Sequence, residues 1–325
     1  MLNIFRNSVN QLLATAVVLA LSSPLTAFAT EQVVINGGDK PWWFWPLILF
    51  FFCFILGILA VMAGVGGGVL YVPLVSGFFP FHIDFVRGVG LMVALAGALA
   101  AGPGLLRRNL ANLRLALPVA LIASTFSIIG AMLGLYLSAL NPDIIQVCLG
   151  ATIVAITALI AFSKNSEKPI VTKQDAISHA LGLGGVYWDE GARENVEWTT
   201  HRTLLSMLMF VFIGLVAGMF GLGAGWANVP VLNLMMGAPL KVSVATSKFL
   251  LSITDTSAAW IYMNRGCVIP LIGVPSIVGL MLGSLLGVKL LAIAKPKMIR
   301  YFVIVVLLFA GLKAMDKGLG LGIMG

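Results

Sequence analysis

Apolar residues run in blocks along almost the whole chain, separated by short polar clusters. Beyond residue 40 the blocks fall at 42–63, 64–80, 87–106, 115–140 and 143–162. After a polar stretch at 163–202 they resume at 203–220, 221–237, 243–263, 268–293 and 297–314. A helix needs about 20 apolar residues to cross a bilayer. The pattern predicts an all-α polytopic membrane protein of about eight transmembrane helices. Ahead of these blocks, Arg6, the apolar run LLATAVVLAL and Ala27-Phe28-Ala29 form a secretory-signal pattern. Residues 1–29 read as a signal peptide, or as an extra membrane helix if they are not cleaved.

The blocks form two sets that repeat each other. The stretch 64–75 reads GVGGGVLYVPLV and 221–232 reads GLGAGWANVPVL, an offset of 157 residues. The same offset pairs Gly57 with Gly214, Ala60 with Ala217, Met62 with Met219 and Pro73 with Pro230. It runs on without a gap to Arg108 with Arg265, Pro118 with Pro275 and Gly130 with Gly287. Two prolines and an arginine kept in one ungapped register mark an internal repeat. Residues 42–162 form the first repeat and 203–314 the second.

Each repeat places glycines and a proline where a helix should be crossing lipid. Glycine weakens a helix, and proline removes a donor and blocks a carbonyl. Broken backbone at membrane depth is tolerated only inside protein or beside a water-lined cavity. Two readings follow. Small residues allow close helix packing. Breaks at matching positions of repeated halves also point to a transport site near the midplane. The exposed N–H groups of a broken helix suit an anion.

Charge orients the halves. Arg107, Arg108 and Arg114 lie two crossings away from Lys164, Lys168, Lys173, Arg193 and Arg202, so both loops share a side. The positive-inside rule makes that side cytoplasmic. The halves are then inverted, with 163–202 a cytoplasmic loop carrying a short helix near 173–181. Lys289, Lys295, Lys297 and Arg300 agree with this orientation, and Lys313 and Lys317 run against it. Arg87, Arg108 and Arg265 read as interfacial anchors.

Composition narrows the classes. The 325 residues are 60% hydrophobic and 10% charged, which leaves no room for a large soluble domain. The net charge of +8 reflects basic cytoplasmic loops rather than nucleic-acid binding. Cys53, Cys148 and Cys267 show neither disulfide nor metal spacing and read as buried packing residues. His82, His179 and His201 lie in loops or at helix ends, and there is no G-x-S-x-G elbow or nucleotide-binding motif. No catalytic residue, metal or cofactor is expected.

The two glycine–proline motifs, with MGAPLKVSVATSKFLLSITDTSAAWIYMNRG at 236–266, resemble the sulfite exporter TauE/SafE family over roughly 45–315. The resemblance implies about eight membrane helices in two inverted halves. It further implies transport, often outward, of sulfite, sulfonates, sulfoacetate or thiosulfate. The chain departs from the family pattern where Val89 and Gly90 stand opposite Thr246 and Ser247, and where Ala224 replaces the middle glycine. Its 163–202 segment is also longer than in minimal members.

The second half is richer in polar groups. The candidate substrate-binding residues are Gly66, Gly67, Gly68, Gly223, Gly225, Asn228, Thr246, Ser247 and Lys248. Hydroxyls, an amide and free backbone N–H groups are neutral donors suited to an oxyanion. Thr246, Ser247 and Lys248 read as the opening of a helix, where Thr246 and Ser247 could also be caps. Asp255 is an acid inside an apolar block, a functional candidate by default. Asp255 and Lys248, two turns apart, form either a structural ion pair or a binding lysine and a proton-carrying aspartate. Lys248 could instead extend to the surface. The partners implied are a small anion and the lipid bilayer, in the plasma (inner) membrane. A passive channel or a non-transporting membrane partner protein would share these features.

Overall fold

The computed structural model describes residues 41, 43–63, 66–107, 111–162, 169, 171, 174–189, 194–291 and 296–320. The expected signal at 1–29, Arg108 and most of 163–173 lie outside them. The first half holds α1 (Phe44–Ala63), α2 (Gly67–Phe78), α3 (Ile83–Arg107), α4 (Leu113–Leu140) and α5 (Pro142–Phe162). A short helix α6 (Ala176–Ala180) and an antiparallel hairpin, β1 (Gly184–Asp189) with β2 (Glu194–Thr199), follow. The second half holds α7 (Thr203–Phe220), α8 (Gly225–Pro230) running into a π-turn at Val231–Met235, α9 (Leu240–Asn264), α10 (Pro270–Leu291) and α11 (Pro296–Leu319).

Eight of these helices have 18 residues or more. Six of the eight, α1, α3, α4, α5, α7 and α10, are also apolar enough to cross a membrane. The other two, α9 and α11, carry Lys248 and Asp255, and Lys313, Asp316 and Lys317. The 157-residue offset survives in the helix bounds: Ile83–Arg107 maps onto Leu240–Asn264 residue for residue.

The surface is apolar in stripes. Leu47, Phe51 and Ile55 on α1, Leu113, Leu117 and Leu121 on α4, and Leu204, Leu208 and Phe212 on α7 recur every fourth residue and are all exposed. A four-residue repeat lies on one helix face, so these stripes face lipid. The interior holds the polar groups, among them Arg87, Ser127, Asn228, Thr246 and Asp255.

The halves exchange packing partners. Helix α1 lies against α10 and α7 against α4, while α3 packs on α9 and α5 on α11. Glycines set the distance at both exchanged pairs. A Cβ at Gly279 or Gly283 would clash with the carbonyls of Phe50 or Phe54. At Gly214 or Gly218 it would clash with those of Ala123 or Ser127. Lipid gives helices no hydrophobic reason to associate, so such close backbone contact supplies the attraction.

Four expectations change. Arg87 is no interfacial anchor. It is fully buried and bound to groups of α3, α4, α7 and α9. Cys148 is exposed on α5, whereas Cys53 and Cys267 are buried. Helix α9 begins at Leu240, so Thr246, Ser247 and Lys248 lie in its second turn or beyond and cap nothing. The loop folds as well. Tyr187, Trp198 and Leu183 bury one face of the hairpin, and Val186 and Trp188 stay exposed on the other.

Candidate functional site

The two glycine–proline breaks meet. Gly66 is the extended residue before α2 and Gly225 is the first residue of α8. A Cβ on Gly225 would stand 3.3 Å from the Gly66 Cα. Gly68 packs more tightly: its Cβ would fall 2.5 Å from the Leu222 carbonyl oxygen and 3.0 Å from that of Gly90. At Gly68 a side chain would force the backbone to move, and at Gly225 it would be tight. The first N–H groups of a helix have no carbonyl of their own helix to bind. The amides of Gly67 and Gly68 and of Gly225 and Trp226 hold that position at the starts of α2 and α8.

The backbone between α7 and α8 is shaped by two left-handed glycines, Gly221 and Gly223, both at φ +69°. L-residues with a Cβ avoid that region at about 1–2 kcal/mol. Gly221 ends α7, and Gly223 lies against Asp255, whose Oδ2 would be 2.9 Å from a Cβ added there. Pro230 then closes α8, and the chain continues as a π-turn with Met236 N–H donating to the Val231 carbonyl at 3.0 Å. A proline cannot donate to the helix ladder, and a π-turn is one way to absorb that loss.

Buried polar atoms without partners gather on these same elements. Asn228 is 1% exposed, and neither its Oδ1 nor its Nδ2 has a hydrogen bond among the described residues. The same is true of Trp226 Nε1 and of Asp255 Oδ2. Each such group costs about 1–3 kcal/mol when left unpaired. Three residues on adjoining segments carry such groups. Asp255 Oδ1 lies 3.4 Å from the Thr254 hydroxyl. Among the described residues Asp255 and Lys248 make no salt-bridge contact within 4.0 Å.

Gly66, Gly68, Gly223, Gly225, Asn228 and Asp255 thus belong to one region, and Gly67 packs there on Leu280. Thr246, Ser247 and Lys248 are not among the nearest neighbours of these glycines. The Thr246 hydroxyl instead accepts from the Asn112 N–H at 3.2 Å. Asn112 caps α4 by accepting from Leu115 N–H at 2.9 Å, and its amide donates to the Gly184 carbonyl of the hairpin at 3.1 Å. Ser247 is buried and Lys248 half-buried in the same stretch of α9.

The far end of α2 is also accounted for. Its freed Ser76 carbonyl accepts from Lys317 Nζ at 2.8 Å and from Gln146 Nε2 at 3.4 Å, while the Lys313 ammonium sits 4.6 Å from the Phe78 ring. A cation at a helix C-terminus is favourable. These are the two lysines that ran against the positive-inside count. Trp226, Asn112 and Arg87 carry roles that the sequence pattern did not assign. For Trp226 the available signal was an indole set among glycines in a broken helix. Among the described residues no three His, Cys, Asp or Glu side chains gather as a metal site.

Comparison with known proteins agrees with this architecture. The family model for Sulfite exporter TauE/SafE matches residues 49–314. The chain is 24% identical over 273 residues to the probable membrane transporter protein YunE of Bacillus subtilis (strain 168), covering 82% of this chain and 95% of that one. It is 23% identical over 261 residues to the probable membrane transporter protein MJ0441 of Methanocaldococcus jannaschii, covering 76% and 86%. No solved structure matches significantly. With its matched region running through both glycine–proline breaks and the helices around them, the chain belongs to the sulfite exporter TauE/SafE family of membrane transporters.

Proposed function

We propose that this protein is a secondary transporter that exports a small sulfur-containing anion, of the sulfite, sulfonate or thiosulfate class, across the plasma (inner) membrane. The observation that carries the reading is Asn228, buried with both amide atoms unpartnered, beside the paired helix starts at Gly66 and Gly225. An oxyanion there would accept from the amide of Asn228, the indole N–H of Trp226 and first-turn backbone N–H groups. Neutral donors bind an anion without the desolvation cost of a buried cation. Arg87 is not a ligand in this reading, because Asp84 at 2.7 Å already holds its charge. The "sulfur" in the substrate comes from the family; the site itself supports a small oxyanion.

Two halves in inverted orientation suit alternating access, in which each side of the site opens in turn. Asp255 is the candidate for a coupled proton, since its free Oδ2 lies against the Gly223 backbone of the same break. The 163–202 segment lies on the cytoplasmic side.

Purified protein in liposomes tests the reading. Labelled sulfite, thiosulfate and a sulfonate are offered beside sulfate and chloride. Saturable uptake of one sulfur anion, competed by the unlabelled anion and lost in Asn228→Ala, is the expected result. Flux that rises linearly without counterflow marks a passive channel, and no flux of any anion marks a protein that does not transport them.

A further inference from the structure

The second break is held from behind by two side chains. Helix α7 stops at Phe220 because Gly221 turns left-handed, which leaves the last carbonyls of α7 without helical partners. Lipid supplies none. Here protein does. Arg87 Nη2 donates to the Met219 carbonyl, and the Tyr262 hydroxyl lies 3.1 Å from the Gly218 carbonyl and 3.2 Å from that of Met219. Arg87 Nη2 also reaches the Tyr262 oxygen at 2.6 Å, so the two side chains hold each other.

The cluster is built, not incidental. Arg87 Nη1 donates to Asp84 at 2.7 Å and lies 3.4 Å from the Gly134 carbonyl; Asp84 Oδ2 in turn accepts from Ser138 at 3.0 Å. Two glycines make room for it. A Cβ on Gly134 would collide with Arg87 Nη2, and one on Gly221 would collide with the Arg87 backbone. The equivalent sequence positions behind the first break are apolar. The positions 157 residues away are Val244 for Arg87 and Leu105 for Tyr262, neither of which carries a donor.

We propose that Arg87 and Tyr262 are positioning residues of the anion site. They fix the carbonyl end of α7, and thereby where the backbone of 221–225 stands against Gly66, so they set affinity without touching the anion. This rests on the transport reading above.

The test pairs two measurements on the full chain. Hydrogen–deuterium exchange follows the amides of 219–226, and sulfite uptake in proteoliposomes gives KM and the maximal rate. Tyr262→Phe removes one hydroxyl, and Arg87→Lys keeps the charge but loses the fork. Thr157→Val is the control, since it removes a comparably buried hydroxyl bonded to the Ile153 carbonyl of α5. Both test variants should speed exchange at 221–226 and raise KM at least fivefold, with the maximal rate per folded protein within twofold. The control should change neither. Unchanged exchange in both variants overturns the proposal. So does an unchanged KM in both variants while Asn228→Ala abolishes flux; that result loses the clamp alone. Wild-type vesicles without saturable sulfite flux overturn the transport reading and the affinity claim with it.

Discussion

Gly66 and Gly225, from opposite halves of the chain, touch backbone to backbone: a Cβ added to Gly66 would stand 3.6 Å from the Gly225 Cα. The starts of α2 and α8 are thus in close contact through their glycines.

A glycine in this region and one in the loop before the hairpin should differ sharply in what they tolerate. Gly68→Ala drives a methyl to 2.5 Å from the Leu222 carbonyl, where backbone must move. It should cost about 1–3 kcal/mol of stability and lower sulfite uptake at least tenfold. Gly182→Ala, at φ +61° with open space around it, should cost about 1–2 kcal/mol of local strain and leave uptake intact. Thermal midpoints in detergent, read beside uptake, separate the two effects.

Asn228→Leu should lose uptake and keep the fold. The native side chain is buried with no partner, so replacing it by an apolar group of similar size removes an unpaid desolvation cost. The expected change is from none to about 1 kcal/mol of added stability. A large fall in the thermal midpoint would show instead that Asn228 is a structural hydrogen-bonding residue.

Asp255→Asn should likewise fold, since it keeps the size of the side chain and breaks no salt-bridge contact within 4.0 Å. Its effect should appear in the coupling. With sulfite at equal concentration on both sides, an imposed pH gradient should drive net flux in the wild type and none in the variant. A variant that still responds to the gradient would remove Asp255 from proton transfer.

Asn112→Ala should release two things together, the cap on α4 and the anchor of the hairpin at Gly184. Loss of a helix cap costs about 1 kcal/mol, and hydrogen exchange over 184–199 should accelerate. Thr246→Val removes only the acceptor for the Asn112 N–H and leaves the cap in place. It should therefore destabilise less and leave the hairpin protected.

The membrane fold was legible because hydrophobic block length and the 157-residue register are one-dimensional signals. Helix bounds repeat at that offset, and the glycine–proline breaks fall where the motif placed them. Arg87 was misread because two of its four partners are the backbone carbonyls of Gly134 and Met219, which have no signature in sequence, and a third, Tyr262, lies 175 residues away. Thr246 was misplaced because Lys241 and Ser243 hid the true start of α9 at Leu240. The hairpin was missed in a polar, glycine-containing stretch, although Val186 and Trp188 alternate with Tyr187 as a two-faced strand does. Which of the polar groups in the second half share a region depends on how α8 and α9 pack, and sequence spacing alone does not say.

The exchanged pairing of helices has a consequence for biosynthesis. Helix α1 finds its closest partner in α10, so the face that meets Gly279 and Gly283 enters the membrane long before those glycines exist. At about 5–20 residues per second, the ribosome needs on the order of ten seconds or more to reach Pro270. Throughout that interval α1 stands in lipid with its docking face bare. The first half is therefore an assembly intermediate that must be kept from wrong neighbours until α10, in roughly the last sixth of the chain, arrives.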